Sequence, residues 1–168
     1  DFNPTKSEYQ SVLGALVGPT PASAAIVRDS MASSSATATS LTFAHTNTGS
    51  NMLLLVGGIS INDQVEVVTG ITYNGVSMTR WNSIGYGGVA RSMLYYLLAP
   101  STGTNNVVVS SSNGTYTLQF QSVSYTGVDT ASNPEGGTAS TTASANATNL
   151  NHTITTVADN ALHVAYYR

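Results

Sequence analysis

Apolar and polar residues alternate in short runs along most of this chain, and the clearest two runs flank an Asn-Gly pair. Residues 71–73 and 76–79 alternate on either side of Asn74 and Gly75. A two-residue Asn-Gly loop is typical of a type I′ hairpin turn, because both central residues of that turn adopt a positive φ. The pattern predicts a β-hairpin here and an antiparallel β protein overall.

Further runs of the same kind predict additional strands. In the run 39–46, Leu41, Phe43 and His45 share one face, whereas 52–59 is apolar throughout and predicts a central strand buried on both faces. The other candidate strands are 65–73, 76–81, 90–99, 106–112, 116–125, 151–157 and 161–167. Short strands at this spacing indicate a sandwich or barrel, and a count of eight or nine favours a jelly-roll-like antiparallel β-sandwich.

The run 116–125 changes phase along its length. Apolar residues occupy positions 116, 118 and 120, and then positions 123 and 125. Because side chains of a strand alternate between two faces, this shift predicts a β-bulge near Gln121 and Ser122.

The first 30 residues differ from the rest of the chain. Ser7 and Gln10 fit a helix-capping box, and Gly18 and Pro19 end the segment. A helix of about ten residues is marginal on its own, so we expect it to dock on its own domain or on a neighbouring subunit. The apolar positions at roughly helical spacing, which would form the docking surface, are Tyr9, Val12, Leu13, Leu16 and Val17.

The chain therefore divides into two parts. We expect an N-terminal anchoring or docking segment, helical or extended, in residues 1–30 and a β-sandwich domain in 31–168 that opens with a polar entry at 33–40. Residues 129–149 are of low complexity and predict a long surface loop or an extended edge segment. Because the chain begins with Asp1 and ends on a strand-like run, we expect the natural polypeptide to be processed or to continue beyond these ends.

Composition narrows the classes of partner. Charged residues make up 8% of the chain, about a third of the usual share, whereas Ser (22) and Thr (23) supply about 27%. A freely soluble monomer keeps more charge than this, so we infer that much of the surface meets other protein. The formal net charge is −3 and the five basic residues are scattered, which argues against binding to nucleic acid or to anionic membranes.

Other classes are excluded by residue type and run length. The chain has no cysteine, so it has no disulfide, no reactive thiolate and no Cys-based zinc site. The longest apolar run has eight residues and is too short to insert across a bilayer. We also predict that the protein uses no cofactor.

The chemistry-bearing residues form no recognisable catalytic or metal motif. His45, His152 and His163 lie on separate candidate strands without a supporting carboxylate, so we interpret them as unrelated histidines rather than a metal site. A Ser-His-Asp triad could use Asp129 or Asp159, but the chain has no G-x-S-x-G elbow. We therefore predict that the protein is not an enzyme.

Two carboxylates and two aromatic residues are weaker candidates for ligand binding. Asp63 and Glu66 could hold Ca²⁺, but their loop lacks the D-x-D-x-D-G pattern, so a solvated turn is the better interpretation. Trp81 follows the hairpin and Tyr86 lies in a Gly-rich loop, where both could stack on sugar rings. Packing in a core or an interface is the commoner role for aromatic residues.

Four segments between residues 41 and 129 carry a family resemblance. They are a loop feeding a buried strand (48–56), the hairpin (68–79), a strand-turn-strand (95–109) and a closing run (124–129). Together they resemble a family of β-sandwich modules in bacteriophage virion proteins and in related bacterial surface proteins. The resemblance implies a structural role, and no catalytic or ligand-binding residue is carried over from the family.

The resemblance, the low charge and the separate segment 1–30 lead to one leading hypothesis. We expect a non-enzymatic virion structural protein, either a capsid decoration protein or part of a fibre or spike. Its partners would be other virion proteins and copies of itself, in a trimer as is common for phage fibres. One alternative is a carbohydrate-binding module that attaches to a host surface glycan through Trp81 and Tyr86. Another is a fragment of a bacterial surface adhesin.

Overall fold

Strands supply all the regular structure in the computed structural model, which describes residues 25–61, 66–86 and 88–131. In chain order they are β1 (Val27–Thr37), β2 (Ser40–Asn47), β3 (Leu53–Ile61), β4 (Val68–Tyr73), β5 (Val76–Ser77), β6 (Thr79–Tyr86), β7 (Ala90–Leu98), β8 (Gly103–Ser111) and β9 (Thr117–Thr126). Within the described residues, no helix is long and apolar enough to cross a bilayer.

The strands form two antiparallel sheets that pack face to face. The five-stranded sheet has the order β1-β9-β3-β7-β6, and the four-stranded sheet has the order β2-β8-β4-β5. This confirms the predicted all-β antiparallel sandwich. The interior between the sheets is mainly aliphatic, and its fully buried members include Leu54, Val56, Ile71, Tyr73, Val107, Val109 and Leu118.

The hairpin forms at Asn74 and Gly75 as predicted. Both residues have a positive φ, 49° and 77° respectively, and Tyr73 pairs with Val76 across the turn. The strand predicted over 76–81 is split, however. After the two residues of β5 the chain passes at Met78 into the other sheet and continues there as β6.

The apolar run 52–59 becomes the central strand β3, with β7 on one side and β9 on the other. Both of its faces are buried, as the unbroken apolar run predicts. The backbone of Gly58 lies directly beneath Phe120. A Cβ added at residue 58 would overlap the ring of Phe120 and the carbonyl oxygen of Gln119, so only glycine fits there.

The predicted bulge near Gln121 and Ser122 is wrong. β9 pairs with β3 in unbroken register from Thr117 to Tyr125. The irregularity lies in the neighbouring strand β1, between Arg28 and Met31. The phase shift in the sequence arises because two serines, rather than apolar residues, continue the inward face of β9.

The first strand was not predicted, because its residues are small and polar. β1 includes residues 33–37 of the run 33–40 that the sequence suggested as a polar entry, and it crosses the boundary expected at residue 30. Several predicted features lie outside the described residues. They are the docking positions Tyr9, Val12, Leu13, Leu16 and Val17, the candidate strands 151–157 and 161–167, and Asp63, His152, Asp159 and His163.

Candidate functional site

A cluster of buried polar side chains lies inside one end of the sandwich. His45 and Asn47 come from β2, while Ser122 and Ser124 come from β9. Each of these four residues is at most 1% exposed. Ser30, from the irregular part of β1, adds a third strand to the cluster. The group, here called the histidine cluster, also includes Asp29 and Thr48 at its rim.

The imidazole of His45 is fully hydrogen-bonded within this cluster. Its Nδ1 lies 2.8 Å from Oγ of Ser122. Its Nε2 lies 3.0 Å from Oγ of Ser124, 3.1 Å from Oδ1 of Asn47 and 3.2 Å from Oγ of Ser30. Because Oδ1 of Asn47 can only accept, these contacts assign the hydrogen to Nε2 and leave Nδ1 to accept from the Ser122 hydroxyl.

The cluster reaches a carboxylate at its rim through a second serine. The hydroxyl of Ser124 donates to Oδ2 of Asp29 over 3.1 Å, and the backbone N–H of Thr48 donates to the same oxygen over 3.0 Å. The hydroxyl of Thr48 donates to Oδ1 of Asp29. Partial burial raises the pKa of Asp29, but the bonds from Thr48 and Ser124 outweigh it, so the pKa lies below its usual 3.8. Asp29 therefore stabilises the fold above about pH 3.8, and this contribution is lost as the pH falls further.

Burial also sets the charge of His45. Removal from water lowers the pKa of the imidazole below its usual 6.5, while the hydrogen bond with Asn47 and the negative charge of Asp29 raise it in part. The net direction is downward, so His45 is neutral at pH 7. A neutral imidazole agrees with the donor and acceptor roles that the neighbouring groups require.

A hydroxyl, an imidazole, a second hydroxyl and a carboxylate in series can pass a proton along the chain of bonds. The hydroxyls of Ser122 and Ser124 and the ring of His45 are almost fully buried, however, so no substrate reaches them in this arrangement. The chemistry available to the cluster is therefore hydrogen bonding between β1, β2 and β9.

Sequence reasoning placed His45 on one strand face with Leu41 and Phe43 but named no hydrogen-bond partners for it. Leu41, Phe43 and His45 do share the inward face of β2, as predicted. Asp129, one of the two carboxylates considered for a Ser-His-Asp triad, takes no part in the cluster, and the carboxylate bonded to Ser124 is that of Asp29. Within the described residues, no three His, Cys, Asp or Glu side chains are arranged to hold a metal ion. Positions 118, 120, 122 and 124 alternate with outward positions and therefore lie on one face of the strand. Because a buried histidine needs polar partners, the two serines on that face could have been predicted as its neighbours.

A second notable surface is the outer face of the five-stranded sheet. Leu55 lies between Leu54 and Val56, which point into the core, so its own side chain points outward. It pairs with Tyr96 on one side and Val123 on the other, and Val123 pairs with Met31 on the edge strand. Leu55 is 1% exposed and Met31 is 60% exposed. This apolar row, here called the outer row, crosses four strands.

Trp81 extends the outer row to the other edge of the sheet. It lies where the pairing between β6 and β7 shifts register, and its indole meets the ring of Tyr96 edge to face, with centroids 5.6 Å apart. The structure thus places Trp81 in an aromatic pair on the sheet. Tyr86 ends β6, and its side chain lies outside the described part of the structure.

Glu66, a candidate calcium ligand, forms an ion pair with Arg80. The pair stands beside Tyr95, whose pKa is raised by burial and lowered only in part by Arg80. An open groove of about 540 Å³ runs past Arg80 and Tyr95. Its lining consists of Val68, Thr69, Gly70, Ile71, Thr72, Ser77, Met78, Arg80, Tyr95 and Ser110. The ion pair with Arg80 therefore occupies the carboxylate of Glu66.

Comparison with known proteins adds no relative. No family model matches the chain, and neither a curated protein nor a solved structure is significantly similar to it.

Proposed function

We propose that this chain is a non-enzymatic structural protein that acts by assembling with other proteins in a bacteriophage particle. Its place there would be that of a capsid decoration protein or of a fibre or spike component. The observation that carries the proposal is the open part of the outer row, where Met31 is 60% exposed and Val123 and Trp81 are partly exposed, while the central Leu55 is already covered.

The composition supports the same role. A protein with 8% charged residues has few charges with which to keep an apolar face in water. Apolar rows that continue to a sheet edge, as this row does at Met31, are typical of surfaces that bury against a partner. The partners would be copies of this chain, three by preference, and other proteins of the particle.

A single substitution on the outer row tests assembly. We expect the wild-type protein to have a light-scattering mass close to a multiple of 17.4 kDa, and the Val123→Lys variant to fall to the mass of one chain. Thr42→Lys is the matched control, because Thr42 is exposed on the outer face of the other sheet. A wild-type protein that remains one chain at all concentrations would contradict assembly with itself.

The location in a particle needs a separate measurement. We expect the chain to be detected by mass spectrometry in phage particles purified from lysates of its source organism. Its absence from purified particles would remove the virion from the proposal and would favour a bacterial surface adhesin, whether or not the chain assembles with itself.

A carbohydrate-binding role is the second candidate, and the aromatic pair of Trp81 with Tyr96 favours it. An indole at the edge of a sheet offers a flat apolar surface on which a sugar ring can stack. Replacing both Trp81 and Tyr86 by Ala should abolish binding on a glycan array. Ile84→Ala is the control, because Ile84 lies on the same strand and is 44% exposed. Binding that survives the double substitution would exclude this surface as the sugar site.

A further inference from the structure

We propose that the outer edge of β4 is a docking site for an extended strand, and that its occupant is the segment 161–167 of the same chain, which lies outside the described residues. The segment would become a further strand of the four-stranded sheet. This docking would complete the sandwich, and it does not depend on the partners proposed above.

The outer edge of β4 is only partly covered in the described part of the chain. β4 pairs with β8 on one side and with β5 on the other, but β5 has two residues and reaches only Thr72 and Tyr73. One more bond follows, from the N–H of Met78 to the carbonyl oxygen of Ile71 over 2.9 Å, before the chain enters the other sheet. Among the described residues, no strand lies beside the remaining stretch 68–70. A sheet edge with unpaired backbone groups is a template for a further strand.

The open groove of about 540 Å³ beside Arg80 and Tyr95 follows this edge. Five consecutive residues of β4, 68–72, line the groove. Neighbouring residues of a strand point to opposite faces, so a groove on one face would be lined by alternate residues. Lining by consecutive residues therefore indicates that the groove runs along the edge of the strand. Five residues of a strand span about 14 Å, which an extended segment of similar length can match.

The space beside the edge is open to a strand. A Cβ added at Gly70 would meet no atom within 4 Å. The stretch 68–72 has no charged residue and no proline, which are two devices that keep sheet edges from pairing. A third device, a local irregularity, is present as the register shift against β8 between Val68 and Gly70. Neither charge nor a missing N–H group therefore opposes pairing along this edge.

The pattern of residues 161–167 fits the edge. One face of a strand beside β4 would continue the inward face of the sheet, where Val68 and Ile71 belong to the core. The occupant therefore needs an apolar side chain at every second position. The other candidate strand, 151–157, has Ile154 between His152 and Thr156 on one face and a mostly polar opposite face. The segment 161–167 has an apolar residue at each of three alternate positions, which are Leu162, Val164 and Tyr166.

The intervening chain is long enough for the segment to reach β4. After β9 the N–H of Val128 donates to the carbonyl oxygen of Asn51 over 2.9 Å, so the chain leaves the sandwich beside the start of β3. β3 is two strands from β6 in its own sheet, and β4 lies in the facing sheet. The spacings of strands and sheets make this path about 30 Å. Residues 132–160 span roughly 95 Å when extended. A tether of this length makes docking intramolecular, which favours the chain's own segment over that of a second copy.

Photo-cross-linking of the full chain tests the docking. Because the chain has no cysteine, the His163→Cys variant takes a benzophenone maleimide at one position. His163 alternates with the three apolar positions, so the label would not enter the core. On illumination we expect cross-links to residues 66–80, in a product with the mass of one labelled chain of 17.4 kDa. The Thr142→Cys variant, labelled in the low-complexity run, is the control and should show no enrichment of cross-links at 66–80.

A matched pair of substitutions tests the alternation in the same labelled protein. Val164→Lys places a charge on the face that packs inward, and we expect it to lower the yield of cross-links to 66–80 at least about tenfold. Ala165→Lys places the same charge on the opposite face and should keep the yield.

Three results would overturn the proposal. The first is a cross-linking yield at 66–80 no higher than that of the Thr142→Cys control. The second is a product with the mass of two chains, which would mean that a neighbouring copy supplies the strand. The third is an equal yield for Val164→Lys and Ala165→Lys. If Val164→Lys does not fold, the location and the mass of the cross-linked product without that substitution decide.

Discussion

Two parts of the sandwich interior, the aliphatic core and the polar histidine cluster, are held by different forces, and they meet within one ladder pair. Leu54 on β3 is directly opposite Ser124 on β9, and both are fully buried. Leu54 belongs to the aliphatic core, whereas Ser124 belongs to the histidine cluster. The aliphatic core is stabilised by removing apolar area from water, and the histidine cluster by giving each of its buried polar groups a partner.

This difference predicts different responses to change. Aliphatic packing is non-directional, so the loss of one side chain costs roughly what its area and the remaining cavity dictate. A buried hydrogen-bond network is directional, and the loss of one hydroxyl leaves a neighbouring group unsatisfied. It also depends on pH wherever a member titrates, as His45 does.

The largest expected effect is in the aliphatic core. Leu54→Ala should lower the free energy of unfolding by about 3 kcal/mol, because it removes three buried carbon atoms and leaves a cavity between the sheets. Urea unfolding measures the change. Ile84→Ala, on the exposed outer side of β6, should cost less than about 1 kcal/mol. Equal losses for the two variants would show that the core is not the main source of stability.

A smaller loss is expected in the histidine cluster. Ser122→Ala should cost about 2 kcal/mol, because Nδ1 of His45 loses its donor and stays buried. The same urea experiment applies, with Ser35→Ala as the control, since Ser35 is exposed on β1. A cost within experimental error would mean that water or another donor satisfies Nδ1, and the directional account of this cluster would fail.

The sequence was informative about the aliphatic core, and His45 was its one hint of the polar cluster. The apolar run 52–59 and the Asn-Gly turn mark β3 and the hairpin, because their signals lie in neighbouring residues. The strand β1 was missed because small polar residues such as Ser33, Ser34 and Ser35 have no apolar period. They form a strand because β9 lies beside them in the fold.

The same reason explains the outcome at the histidine cluster. Its members come from positions as far apart as residues 29 and 124, so no local spacing brings them together. Ser122 and Ser124 looked like a change of phase because an inward strand position was equated with an apolar residue. A histidine predicted on an inward face is the one local hint that such positions would be polar.

The pH dependence of stability distinguishes the two parts directly. Between pH 6.5 and the lower pKa of folded His45, the free energy of unfolding should fall by at most about 1.4 kcal/mol per pH unit, because the unfolded chain binds one more proton than the folded one. Urea unfolding at several pH values measures the slope. It should persist in the Leu54→Ala variant and disappear in His45→Gln. A slope shared by all three proteins would place the titrating group elsewhere.

The smallest expected effect is at a surface hydrogen bond, and it separates the influence of burial from that of hydrogen-bond length. The hydroxyls of Thr37 and Thr117 lie 2.8 Å apart, the same distance as that between Ser122 and the ring of His45, but they lie at the surface. Thr37→Val removes one hydroxyl at nearly constant shape, and water can bond to the one that remains. We therefore expect a change of about 0.5 kcal/mol or less in urea unfolding. A loss as large as that of Ser122→Ala would mean that bond length rather than burial sets the cost, and the contrast between the histidine cluster and the surface of the sandwich would fail.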